Sequence, residues 1–281
     1  MVMGWMRWWL GSKTNFTMPE FTAELEATFA FEGGRTELQH KFHKSPLKIA
    51  KTFMRDDKQL GVCIMDCSPG MMAGDKYRLD WRLLPQSNVF ITNQSYTKVH
   101  PSAEYPAYQL QSFYVDQGAR LEYKPEPIML YKEASFRADT EIKLEAGAVA
   151  FVTEVVCPGR VLRDEVFQYV RYDSQLQVYY ENQLIYYNRQ NIEPDSTKSD
   201  FRRLGSWENY THQGTFYIFS DQLKSEYLKP IQELLERYPH LHAGASLTYK
   251  YGLIISVLGK SVWELQQLLD EAWLMMKLMV A

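Results

Sequence analysis

"EAGAVAFVTEVV", residues 145–156, sets a turn against a nearly unbroken apolar run. Glu145 to Gly147 carry turn chemistry, and the run from Ala148 has no polar alternation. Such a segment reads as a strand covered on both faces. One residue interrupts it. Glu154 puts a carboxylate inside the run, and an acid buried there is costly unless it is paired or hydrated.

The same order of turn and strand occurs twice upstream, in "PQSNVFIT" (85–92) and "DQGARLEY" (116–123). Aligning Asn88, Ala119 and Ala148 gives steps of 31 and 29 residues. A period near thirty predicts stacked coils, each burying its face against its neighbours. An ordinary β-sandwich stays open as the alternative. Two neighbouring segments alternate in period two. In "KYRLDWRLL" (76–84) Tyr77, Leu79, Trp81 and Leu83 share a face, and in "FRADTEIKLE" (136–145) Phe136, Ala138, Thr140, Ile142 and Leu144 do the same. Each is a strand with one buried and one wet face. "YYENQLIYY" (179–187) reads as a hairpin turning at Glu181-Asn182.

The last third changes character. Leu223, Tyr227, Ile231, Leu234, Leu235 and Tyr238 form a helical stripe in which Pro230 kinks the helix or starts a second segment. Two strands around Tyr251-Gly252 follow. A final helix is opened by Ser261 and Glu264 in capping-box spacing. Its apolar residues include Val262, Leu265, Leu269, Trp273 and Met276, and Trp263, Leu274, Met275 and Leu278 widen that face beyond one stripe. The expected fold class is mostly β, a coiled β-helical body with a C-terminal α+β part carrying two helices. Residues 1–20 read as an N-terminal extension, 21–215 as the β-rich body and 216–281 as the C-terminal segment. The extension, "MVMGWMRWWLG" at its start, fits an upstream start codon ahead of Met18 or an interfacial anchor.

The 281 residues are 46% hydrophobic, enough for one large or two modest domains, and carry a net charge of −3. No Lys/Arg block is present, which argues against nucleic acid and anionic membranes as partners. Three cysteines make no disulfide framework and fit a reducing cytoplasm. Cys63, Asp66 and Cys67 suggest a soft-metal site, but Cys63 and Cys67 on a strand stand roughly 13 Å apart, too far to chelate one ion, so the cysteines read as core residues. "GKS" at 259–261 lacks the glycine that a phosphate loop needs at 254, where Ile254 stands. No catalytic constellation is assembled anywhere in the chain.

"SPG" (68–70) has the pattern of a type II turn, with Pro69 at its first corner and Gly70 at its second. Gly74-Asp75 is a second turn. By residue chemistry alone Asp75 closes that turn. The longer stretch "SPGMMAGDKYRLDWRLLPQSNVFITNQSYTKVH" (68–100) resembles the urease accessory protein UreD (UreH) family, as do "GARLEYKPEPIMLYKEASF" (118–136), "TEVVCPGRVLRDEVF" (153–167) and "ENQLIYYN" (181–188). Residues before 20 match nothing in it, and Ser-Pro-Gly stands where many members have a Gly-Gly pair.

The resemblance implies a non-enzymatic scaffold with no tightly bound cofactor. Such a scaffold binds UreF, which recruits the GTPase UreG, and docks on the urease apoprotein in the cytoplasm. It passes Ni²⁺ in transit through an internal polar tunnel. Carried over by motif, Asp75, Thr97, Glu154 and Asn188 become nickel-path candidates. Lys98 is expected to order a carboxylate, Arg160 to pair with Glu154 or stand aside from it, and Gly70 and Gly74 to shape the turns. Trp273 and Leu274 on the last helix become the expected contacts for UreF. Two rivals remain: a β-helical carbohydrate-active enzyme, suggested by 19 Tyr and 7 Trp on a β framework, and a structural assembly factor for which nickel is incidental.

Overall fold

The computed structural model describes residues 20–55, 59–194 and 207–280. All but the last residue of the expected N-terminal extension lies outside the described residues. The chain enters through β1 (Ala23–Glu32), turns back as β2 (Arg35–Lys44), and crosses through β3 (Leu47–Met54) to β4 (Leu60–Asp66). It then winds. One coil is β5 (Lys76–Leu83), β6 (Asn88–Asn93) and the short β7 (Thr97–Val99); the next is β8 (Ala107–Val115), β9 (Arg120–Tyr123) and the short β10 (Ile128–Leu130). A third is β11 (Ser135–Leu144) and β12 (Val149–Cys157), and the hairpin β13 (Arg171–Tyr180) with β14 (Gln183–Ile192) ends the winding. That hairpin turns at Glu181 and Asn182, both at positive φ, as its sequence predicts.

Coiling makes the neighbours parallel. β1, β5, β8, β11 and β13 form one sheet, and β4, β6, β9 and β12 form the centre of the other. Asn88 pairs with Arg120 and Arg120 with Val149, steps of 32 and 29 residues. Tyr77, Gln109 and Ala138 repeat the same two steps in the facing sheet. The repeat is therefore real, and the first step is one residue longer than the sequence alignment makes it. The proper row is Ser87, Ala119 and Ala148, all fully buried. Ser87 joins it because its hydroxyl donates to Leu84 O (2.7 Å).

β12 is covered on both faces for a visible reason. Ala150, Val152 and Val156 point into the core between the sheets, while Val149, Phe151 and Val155 point into a second core beneath two helices. In the first core Phe29, Trp81 and Phe113 stack across the neighbouring strands β1, β5 and β8, with centroids 6.4 and 6.3 Å apart. The second sheet continues antiparallel from β12 into β15 (His212–Ser220). The expected boundary between residues 215 and 216 thus falls inside a strand.

α1 (Leu228–Glu236), β16 (His242–Leu247), β17 (Gly252–Gly259) and α2 (Val262–Met279) complete the chain. Pro230 lies in the first turn of α1, where no N–H is missed. Ser261 caps α2, accepting from Glu264 N, so "GKS" is a strand end and a cap. Trp273 is buried in the second core, stacked on Phe216 at 5.1 Å and edge-on to Phe151 at 5.4 Å. This corrects the expectation that it meets a partner. Leu274 stays exposed, together with Trp263 and Leu278.

Candidate functional site

Two cavities of about 60 and 70 Å³ lie between the sheets and share Thr97, Gln109 and Tyr123 in their walls. By the room one water needs, each takes about four water-sized particles. The outer cavity is rimmed by Pro69, Gln94 and Ser95, which reach solvent, and is lined further in by Asp66, Ser68, Gly70, Tyr77, Asn93 and Lys98. The inner one is lined by Glu126, Glu154, Thr140, Thr153, Ser174, Gln111 and Tyr217 among others. Coil stacking gathers these residues, which come from successive turns of the chain.

Glu154 sits at an inward position of β12, in register with Ala150 and Val152. It lies deep in the fold yet keeps accessible surface, because that surface faces the cavity. Burial pushes its carboxyl above the ordinary range, and the Tyr172 hydroxyl offsets this only in part. Among the described residues no Lys, Arg or His lines the inner cavity. The phenols of Tyr123, Tyr172 and Tyr217 surround the acid instead; burial raises the pKa of all three, and the negative charge of Glu154 adds to the rise. Gln111 is buried, and its Nε2 and the Tyr172 hydroxyl reach no protein partner at full hydrogen-bond geometry, although Gln111 interacts with the Tyr123 phenol and Tyr172 with Glu154. Such a donor marks a site completed by solvent or a ligand oxygen. Arg160 is not the partner of Glu154. Its guanidinium binds Glu165 through Nε (2.7 Å) and Nη2.

At the outer cavity the acid is Asp66. Its carboxylate accepts from Ser68 N (2.8 Å) and from the Tyr77 hydroxyl (3.3 Å). Asp75 does what its residue chemistry predicts. Asp75 N donates to Met72 O (3.1 Å), and its carboxylate accepts from Met72 N (2.7 Å). Asp75 lines neither cavity. Gly74, at φ 79°, supplies the positive φ of a type II turn over residues 72–75. The earlier turn is different from its expectation. Met71 N bonds Lys98 O rather than Ser68, and Ser68 Oγ receives Gly70 N. A Cβ on Gly70 would come within 2.6 Å of Lys98 O, so glycine is required there.

Thr97 is central, in the wall of both cavities. Asn188 stands behind the inner one, its Nδ2 donating to the Tyr217 hydroxyl (3.4 Å). Among the described residues no three His, Cys, Asp or Glu side chains gather as a metal-holding group. The acids are divided between the two cavities rather than clustered, Asp66 in one and Glu126 and Glu154 in the other. The sequence reading weighed Asp66 only with the two cysteines beside it and set it aside, and it missed Glu126, whose only signal was an acid in a loop after a strand. It also expected buried cysteines, whereas Cys67 is exposed and only Cys157 is buried.

Comparison with known proteins assigns this architecture. Residues 22–280 match the model of the UreD urease accessory protein family. The urease accessory protein UreD of Acetivibrio thermocellus is 31% identical over 237 residues, covering 84% of this chain and 90% of the relative. UreD of Lysinibacillus sphaericus is also 31% identical, over 79% of this chain and 83% of the relative. UreH of Helicobacter hepaticus is 27% identical, over 80% and 86%. No described helix is long and apolar enough to cross a membrane. With the match spanning nearly the whole chain, this protein belongs to the UreD urease accessory protein family, whose role lies in urease maturation.

Proposed function

We propose that this protein is a non-enzymatic, cytoplasmic scaffold that binds UreF, UreG and the urease apoprotein and lets Ni²⁺ pass through the two joined cavities. The observation that carries the reading is the shared wall at Thr97, Gln109 and Tyr123, with Asp66 on one side and Glu126 and Glu154 on the other. A divalent ion in transit needs oxygen donors that hold it weakly enough to let go. Hydroxyls, amides and single carboxylates along the passage are donors of that kind. Asp66 takes the place that the sequence reading gave to Asp75, and Asn188 acts through Tyr217. Exposed Trp263, Leu274 and Leu278 on α2 supply the surface for UreF. Family membership turns the balance away from the carbohydrate-enzyme reading.

Glu154→Gln and Asp66→Asn preserve shape and remove a charge. Each should lower the nickel content and activity of urease matured with it, while the yield of the accessory complex from the same lysate stays at the wild-type level. Normal activation by both variants would reject the passage. Loss of the complex would show instead that these acids hold the fold.

A further inference from the structure

The main path of each sheet ends in two edge strands, β2 and β14 on one sheet, β3 and β16 on the other. An edge offers unpaired backbone groups to any passing strand, and folded chains blunt it with charge, proline or a bulge. Three of these edges are blunted. Gln39 on β2, Ala50 on β3 and Ile185 on β14 each stand unmatched where the register of the edge slips. Exposed Lys41, Lys48, Lys51 and Arg189 stand on the same strands. The fourth edge has neither device. β16, "HAGASL", holds no Lys, Arg, Asp, Glu or Pro and pairs with β17 in unbroken register.

The free backbone groups of β16 can be assigned. Thr248 N donates to Gly252 O (2.9 Å), which sets the phase of the β16–β17 ladder. Bonds in an antiparallel pair alternate, so His242, Gly244 and Ser246 turn their backbone groups to β17, while Ala243, Ala245 and Leu247 turn theirs outward. Among the described residues no other backbone group meets the outward ones.

Beside this edge the sheet is hollow. β14 packs over β15, with the Tyr186 ring 5.9 Å from Tyr217 and 5.4 Å from Phe219. Two strands further out, His242, Gly244 and Ser246 on β16 are exposed. A recess of about 590 Å³ lies there, lined by Trp207, Gln213, His242, Gly244, Ser256 and Leu258 among others. A Cβ on Gly244 would meet nothing within 4 Å. Small side chains on β16 leave the recess open, and among the described residues no Lys, Arg, Asp or Glu lines it.

We propose that β16 is a strand-addition site: it takes an extended segment of a partner protein, hydrogen-bonded to Ala243, Ala245 and Leu247, whose alternate bulky apolar side chains fill the recess beside Gly244. The backbone groups specify a strand. The recess specifies its side chains, since it has volume to fill and no charge to answer a charged group. A second copy of β16 does not meet this need, because Gly244 and Ser246 would leave the recess empty. Cation transfer plays no part, so the proposal stands apart from the passage.

The probe is a synthetic peptide in which Phe and Val alternate with Thr, capped at both ends, added to the purified full chain. Amide hydrogen exchange is read residue by residue. Exchange at Ala243, Ala245 and Leu247 should slow about tenfold, with His242, Gly244 and Ser246, already bonded to β17, unchanged. Gly244→Lys puts into the recess the kind of charge the other edges carry; the position is open, so its thermal unfolding should match wild type, and the peptide should give no protection. Ala245→Pro removes one outward N–H without touching the β17 ladder and should also abolish protection. The same peptide with Pro at its centre should fail on wild type. No slowing in wild type, or equal slowing in Gly244→Lys or with the Pro peptide, would overturn the proposal. A wild-type dimer in sedimentation that Gly244→Lys turns into a monomer would give the edge to a second copy and overturn it as well.

Discussion

Removing the Trp273 ring separates the two faces of α2. The side chain is 5% exposed and packs between Phe216 and Phe151 under the second sheet. Trp273→Ala deletes the largest side chain of that core, and truncations of this kind cost about 3–5 kcal/mol. The two ring contacts, worth about 0.5–1.5 kcal/mol each beyond area burial, place this site toward the upper end. For a chain of this size the loss corresponds to a fall of roughly 10 °C in Tm. Leu274→Asp, one residue on, touches an exposed position and should change stability by no more than about 0.5 kcal/mol. Urea unfolding followed by circular dichroism, with wild type and both variants in one series, gives both numbers. If Trp273→Ala loses less than 1 kcal/mol, α2 is not seated as described, and the assignment of its outer face fails too.

Three further outcomes follow from the passage and its turns. Glu154→Gln should match wild-type stability near pH 4 and exceed it at pH 8. The folded carboxyl has the higher pKa, so wild-type stability falls as pH rises above the ordinary glutamate range, with a limiting slope of about 1.4 kcal/mol per pH unit; equal melting curves at pH 8 would contradict this. Gly70→Ala should be strongly destabilising, because φ is 137° and Lys98 O stands in the way, and a variant as stable as wild type in a thermal melt would refute that geometry. Asp75→Asn should leave both stability and urease activation within error of wild type, since Asn closes the same turn; a loss of activation with an intact fold would restore Asp75 to the nickel path.

Much of the fold is legible because coil and strand periods are written locally. Alternation in "KYRLDWRLL" needs no tertiary knowledge, and Lys76–Leu83 is the strand it predicts. The repeat slips by one residue at its first step because Ser87, a polar turn residue, occupies a buried row that the eye fills with Asn88. A one-residue slip exchanges the two faces of a strand, so the error would have turned Val89 outward. Glu154 is legible as an acid in an apolar run. Asp66 is not, because an acid at a strand end is ordinary, and only coil stacking shows that it faces a cavity. The inward side of α2 is ambiguous for a different reason. Apolar residues all round the helix leave both Trp273 and Leu274 as candidates, and the second core decides between them.

The passage is tested most directly at the wall that both cavities share. Thr97→Lys places an ammonium group there, while Thr97→Val keeps the shape without the charge. Urease matured with each variant is purified and its nickel measured per active site, with accessory-complex yield taken from the same lysate. The account predicts wild-type complex yield with Thr97→Lys but urease almost free of nickel, and a much smaller deficit with Thr97→Val. Full nickel occupancy in urease matured with Thr97→Lys would contradict it.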